Sequence, residues 1–295
     1  MSVGFDMVLD TREFRLLEGL RLAPRRSFSG RVRGERLSKK KGISIEFADY
    51  REYGEGDDLR HLDWNVLARL ETPVIKTYQD EEDLAVYLLL DASASMEFGD
   101  PSKIEAACRI CCALGYVALC GLDAVFPRAV GRREQPVPAM RSRSAYPRLA
   151  SWARDVAPDG GKSLAQGLRD FALSGARAGL AFVVSDGLDP DVFAALRIVA
   201  GRGHEIGFVQ VLSEEDFDPE IEGDIRLVDA ENGPPVEVTA GGNVLRGYKQ
   251  RLNEHNSKIA SECLRLGGRY VQTTVVEPLE ALFTQKLRRE GWVAR

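Results

Sequence analysis

The sequence predicts an α/β fold: a doubly wound, mostly parallel sheet with helices on both faces, preceded by a small β-rich region. Three observations predict it. Ala85–Leu90 and Gly179–Val184 are continuous apolar runs of strand length, as expected for strands covered on both faces. His204–Leu212 is a third such run. Segments with helical periodicity lie between the runs, and strand–helix alternation of that kind builds parallel sheets. The 295 residues suffice for one large domain, or a medium one with a smaller companion. With 44% hydrophobic and 29% charged residues, wholesale disorder is excluded.

Residues 1–83 read as an N-terminal β-rich region with short helices and a basic stripe. Asp10 or Thr11 caps a short helix carrying Phe14, Leu17 and Leu20, and Pro24 stops it. Ile43, Ile45 and Phe47 alternate with Ser44 and Glu46, a strand signal. Gly54 and Gly56 permit a turn. Asp57 or Asp58 then caps a helix carrying Leu59, Leu62, Val66 and Leu67, and Val74–Tyr78 is a second strand. Trp64, Leu62 and Val66 form the apolar face expected to hold this region on the sheet domain.

Residues 84–295 read as the sheet domain. After Ala85–Leu90 come a helix at 104–119, a strand at 123–130, helices at 144–156 and 163–173, the strand at 179–184, a helix at 191–200 and the strand at 204–212. An insertion near 214–240 contains an acidic segment and a hairpin turning at Glu231-Asn-Gly233. A long helix at 245–266, a strand at 269–272 and a helix at 278–290 complete the domain.

No run reaches the roughly 18–20 uncharged apolar residues that span a bilayer, and the first residues lack the basic-then-apolar order of a signal peptide. A cytoplasmic protein with no membrane span is expected. Four of the five cysteines, Cys108, Cys111, Cys112 and Cys120, share one helix. They read as small buried residues, because no histidine or second pair accompanies the CxxC at zinc-site spacing. Net charge is −5, yet Arg31, Arg33, Arg36, Lys39, Lys40 and Lys41 form a basic stripe. Without interleaved aromatic residues it reads as a solvated face or a patch for an acidic protein; weak nucleic-acid binding is the alternative.

Ligands in doubly wound sheets sit at the carboxyl ends of strands, where strand order reverses. The first apolar run leads into Asp91-Ala-Ser93-Ala-Ser95, and the second into Ser185-Asp186-Gly187. If these strands are neighbours, Asp91, Ser93, Ser95 and Asp186 converge. All four offer oxygen, and two carboxylates with hydroxyls suit Mg²⁺ or Mn²⁺. Catalytic patterns are missing: there is no GxSxG elbow, no HExxH, and Ser93 stands where a DxDx[TV] phosphatase needs its second Asp.

Asp91-x-Ser93-x-Ser95, with Asp186 later, resembles the metal-ion-dependent adhesion site of von Willebrand factor type A domains. Glu46 to Trp64, with Ala68-Arg69, Val74-Ile-Lys76 and Glu81 or Glu82, is similar to the signature of the DUF58 family. Arg202-Gly-His-Glu205, Leu227-Val-Asp229 and Val236-Glu-Val-Thr239 also fit, so the resemblance runs over about residues 28–290. It implies a von Willebrand factor A-like domain and a non-enzymatic interaction module, an adaptor or co-chaperone that works with a MoxR-type AAA+ ATPase and a client protein. It also implies a cation held by Asp91, Ser93, Ser95 and Asp186 and completed by an acidic group of the partner.

One departure bears on that site. The family segment GGT-x-Leu reads Gly160-Gly161-Lys162-Ser163-Leu164, so Lys162 stands where the resemblance implies a Thr ligand. A protonated Lys cannot ligate a cation; it would fill the site and neutralise the acids, unless Ser163 restores ligation. Gly161-Lys162-Ser163 also looks like the end of a P-loop, but helix rather than strand is expected before it. A metal-assisted hydrolase using the same acids is the rival reading, and it lacks an identifiable base or nucleophile.

Overall fold

The computed structural model describes residues 9–26, 28, 45–54, 57–80, 83–132, 137–159, 161–219, 221, 223–230 and 235–295, with backbone alone at 45–49, 76–80 and 240. The basic stripe Arg31–Lys41, Gly56, Glu81, Glu82, Gly160 and the turn Glu231–Gly233 lie outside the described residues. By its contacts the chain divides into two units, Met1–Arg26 with Leu84–Arg295, and Ser27–Asp83.

The larger unit opens with α1 (Thr11–Glu18), capped by Asp10, whose carboxylate accepts from Glu13 N at 2.7 Å. The short strand β1 (Arg21–Leu22) follows. Leu9, Leu17 and Leu20 enter the core shared with the sheet. The expected assignment of residues 1–83 to one region therefore differs at its start: the apolar face of α1 packs with the sheet.

The smaller unit has β2 (Ile45–Glu52) and, after the helix α2 (Trp64–Leu70), β3 (Val74–Asp80), which pairs antiparallel with β2. The single helix expected from Asp57 or Asp58 is two elements. Asp58 caps a 3₁₀ turn, Leu59–His61, and Asp63 caps α2 by accepting from Asn65 N and Val66 N. Tyr50 Oη also donates to Asp63, at 2.9 Å. Trp64 is 62% exposed and joins no core of this unit, whereas Leu62 and Ile75 are buried. Arg51 pairs with Asp57 and Arg60 with Asp58.

The sheet of the larger unit then begins. Its strands are β4 (Ala85–Asp91), β5 (Ala124–Val130), β6 (Leu180–Ser185), β7 (Glu205–Leu212) and, after the hairpin β8 (Gly223–Leu227) and β9 (Val236–Ala240), β10 (Arg269–Thr274). The order is β10-β7-β6-β4-β5 and every pairing is parallel. The chain goes from β4 to one neighbour, β5, and then returns to the other, β6. Strand order thus reverses between β4 and β6.

Alternation along β4 shows why both faces are covered. Val86, Leu88 and Leu90 enter one core with α1, α3 (Lys103–Cys120) and α4 (Tyr146–Asp155). Ala85, Tyr87 and Leu89 enter a second core with α5 (Leu164–Leu173), α6 (Val192–Gly201) and, beyond the one-turn α7 (Glu214–Phe217), α8 (Gly242–Arg265). The five cysteines are buried and unpaired, and burial pushes the Cys108 and Cys112 thiols up to about 12. The last expected helix is a short turn, α9 (Leu279–Ala281), that widens into a π-helix over Leu282–Leu287. A pairing with no sequence signal follows: β11 (Val293–Ala294) runs antiparallel to β1. Among the described residues, no helix is long and apolar enough to cross a membrane.

α5 lies so close to the end of β5 that a Cβ on Gly167 would sit 2.6 Å from Gly131 N and 2.8 Å from Val130 Cβ. Gly167→Ala should cost about 1–3 kcal/mol, the usual range for overpacking. Thermal melting should show this as a fall of roughly 3–10 °C.

Candidate functional site

The reversal between β4 and β6 puts Asp91 and Asp186 at the carboxyl ends of adjacent parallel strands. Leu90 and Val184 are register partners, so Asp91 and Ser185 come next at the same level. Ser185 Oγ donates to Asp91 Oδ2 at 2.6 Å, and Ser93 N donates to Asp91 Oδ1 at 2.9 Å. The Ser93 and Ser95 hydroxyl oxygens lie 3.3 Å apart. The turn carrying them is a 3₁₀ segment, Ala94–Glu97, anchored by the buried Met96. The four residues singled out in the sequence therefore gather on one edge.

That edge is buried. Asp91 is 1% exposed, Asp186 2% and Ser93 3%. Burial first, and the Asp186 carboxylate second, push the Asp91 carboxyl from 3.8 up to about 7.

The positive charge at the site belongs to a residue the sequence reading passed over. Lys103, the first residue of α3, is 2% exposed. Its Nζ donates to Asp186 Oδ2 at 2.7 Å and lies 3.4 Å from Asp216 Oδ2. Burial alone would lower the lysine; the Asp186 and Asp216 carboxylates overcome that and hold it above its usual value. Asp216 is fixed in turn by α7, accepting from Ser213 N at 2.8 Å. Gly99 lets these parts meet: its φ is +100°, and a Cβ there would lie 2.9 Å from Ser213 Cβ. A signal for Lys103 exists in the sequence. A lysine directly after the cap Ser102 puts a cation at the positive end of a helix, which is unfavourable without carboxylates in front of it.

Lys162 does not take the place expected of it. Its backbone N donates to Gly131 O, so the loop reaches the edge, but its Nζ pairs with Asp170 on α5. The long side chain keeps a partly exposed partner and avoids a buried position. Ser163 caps α5, its Oγ accepting from Gln166 N at 3.4 Å. Asp189 Oδ2 accepts from Ala165 N at the same helix start. The element that precedes this loop is the helix α4, ending at Asp155, and not the strand a P-loop follows, which removes that reading.

The loop after β6 is braced from behind. Gln210 Nε2 donates to Asp186 O at 2.7 Å and to Asn256 Oδ1 at 2.9 Å, and Tyr270 Oη donates to Gln210 Oε1. His255 Nε2 lies 2.7 Å from Gly187 O.

Mg²⁺ or Mn²⁺ fits this arrangement in oxygen geometry and not in charge. The hydroxyl spacing would suit a small hard cation. Asp186 is already paired with a buried ammonium, however. The residues do not fit a resident divalent ion while Lys103 points at Asp186. Among the described residues, no group of three or more His, Cys, Asp or Glu side chains is placed to hold a metal.

Two outcomes follow from this geometry. Between pH 4 and about 7 the folded chain keeps a proton on Asp91 that the unfolded chain has released, so this group makes stability fall as pH rises through that window. Asp91→Asn should flatten that part of the profile of denaturation midpoint against pH. Lys103→Met leaves two buried carboxylates without their cation and should cost about 3–5 kcal/mol by chemical denaturation.

The family described as "Protein of unknown function DUF58" matches residues 49–258. Uncharacterized proteins of Mycobacterium tuberculosis and Mycobacterium bovis are each 27% identical over 258 residues, 83% of this chain and 79% of theirs. Two solved structures are more distant. The conserved hypothetical protein BatB from Bacteroides thetaiotaomicron is 16% identical with a TM-score of 0.42. An aerotolerance-related membrane protein from Bacteroides fragilis is 18% identical with a TM-score of 0.45. Each aligns over 70% of this chain and 98% of its own.

Proposed function

This chain belongs to the DUF58 family, and from that premise we propose that it is a non-enzymatic protein–protein interaction module. Its sheet unit is von Willebrand factor A-like, and it serves as an adaptor between a MoxR-type AAA+ ATPase and a client protein. The carboxyl edge of the sheet is the contact surface.

The observation that carries this reading is the inward closure of the edge. Asp91 and Asp186 are both almost fully buried, and their oxygens accept bonds from Ser93, Ser185, Lys103 and Leu188 of the same chain. A general base or a nucleophile must reach its substrate. These carboxylates instead hold loops in place, which weighs against the hydrolase reading. The same loops present apolar side chains outward: Phe98 is 54% exposed and Leu188 38%. Exposed apolar groups on rigidly braced loops are what a docking surface requires.

A tagged form of this chain should retain a MoxR-type ATPase from the same cell. Phe98→Asp with Leu188→Asp should weaken retention by about thirtyfold, the loss of roughly 2 kcal/mol at a contact centre, measured at a temperature where both forms are folded because the Phe98 ring also lies over the Lys103 ammonium. Undiminished retention would move the contact elsewhere, and no retention of the ATPase by the wild type would end the adaptor reading.

A further inference from the structure

We infer that the hairpin β8–β9 is a docking site for a basic, extended segment of another protein, which joins the hairpin as a third strand. The inference concerns a different surface from the adaptor reading and does not rest on it.

The register fixes the two faces of the hairpin. Ile225 pairs with Val238 and Leu227 with Val236, so four aliphatic side chains share one face. Asp224 pairs with Thr239 and Arg226 with Glu237 on the other. In an antiparallel sheet an aliphatic face is normally packed on a core. Here none of the described side chains of β8 and β9 is buried, and Leu227 is 48% exposed and Val236 54%. The two strands pair with each other and with no other described strand, so each keeps an open edge. A two-stranded hairpin is marginal by itself, and a third strand with an apolar face stabilises it. An added strand aligns its main chain with an open edge and lays every second side chain beside the aliphatic face.

The charge says which strand fits. Residues 214–240 hold ten Asp or Glu and one Arg, Arg226. A second copy of the hairpin brings the same negative field, and like charges across an interface repel. A strand with Lys or Arg between its apolar residues meets the opposite sign. The root of the hairpin is firm enough to present it. Tyr248 Oη on α8 donates to Asp216 O at 2.7 Å, and Lys249 pairs with Asp218 at 2.7 Å.

The test uses the full chain and a short fluorescein-labelled peptide that alternates Lys with Val, read by fluorescence anisotropy. A peptide of the same composition, with Lys and Val in separate blocks, is the control. The alternating peptide should bind saturably and about tenfold tighter than the blocked one, which carries equal charge. Leu227→Ser with Val236→Ser should weaken it about tenfold, and Glu237→Lys should do the same. Hydrogen exchange of the wild type needs no variant: amides in 223–227 and 236–240 should slow when the alternating peptide binds. Equal affinity for the two peptides would reduce the hairpin to a charged surface and overturn the inference. So would a lack of saturable binding, unchanged affinity in both folded variants, or exchange that slows elsewhere and not in the hairpin. Self-association of the wild type in sedimentation, lost in Leu227→Ser with Val236→Ser, would assign the face to a second copy and overturn it too.

Discussion

The buried ion pair between Lys103 and Asp186 is the constraint on which the edge of this sheet depends. It joins the start of α3 to the end of β6, and through Asp216 it reaches α7. Each of these elements belongs to a different part of the chain. An ion pair in a dry interior is costly to form and costlier to break on one side only. Its members are thereby held in one geometry, and the loops between them inherit it. The loop at Gly99, the start of α3 and the loop after Asp186 are tied together by this charge balance.

The sheet and the acidic pair are legible in the sequence because both follow from burial. Ala85–Leu90 and Leu180–Val184 are apolar without interruption, and a carboxylate immediately beyond a buried strand stands out. Lys103 is not legible in that way. Nothing in the spacing ties it to Asp186, which lies 83 residues later, just beyond β6. Only its unfavourable seat at a helix N-terminus marks it. Lys162 misleads for the opposite reason: the local motif puts it at the site, but only the backbone of that residue follows the motif. Trp64 shows a similar limit. Size and hydrophobicity point to an anchor, whereas its position just after the cap Asp63 turns it outward. The β1–β11 pair has two residues in each strand, too few to carry any periodicity.

A tethered ammonium differs physically from a bound ion. It does not dissociate, it carries one charge rather than two, and it brings a four-carbon stem that fills space. Asp91 lies outside this pairing, and burial first, with the Asp186 carboxylate second, raises its carboxyl. Asp91 Oδ2 accepts from the hydroxyl of Ser185. The edge is thus built for permanence, and the variable part of its surface lies in the exposed side chains of its loops.

The pairing of β1 with β11 has a consequence for how the molecule is made. The larger unit is discontinuous in sequence: Ser27–Asp83 interrupts it between β1 and β4. Arg25 N and Arg26 N bond the buried Glu205 carboxylate on β7, and Leu22 waits for Val293. A ribosome releases the chain N-terminus first, at about 5–20 residues per second. α1 can find its α3 partners once residues 103–120 are made, but β1 can close on β11 only when the far end of the larger unit exists, long after Ser27–Asp83 has all of its own residues.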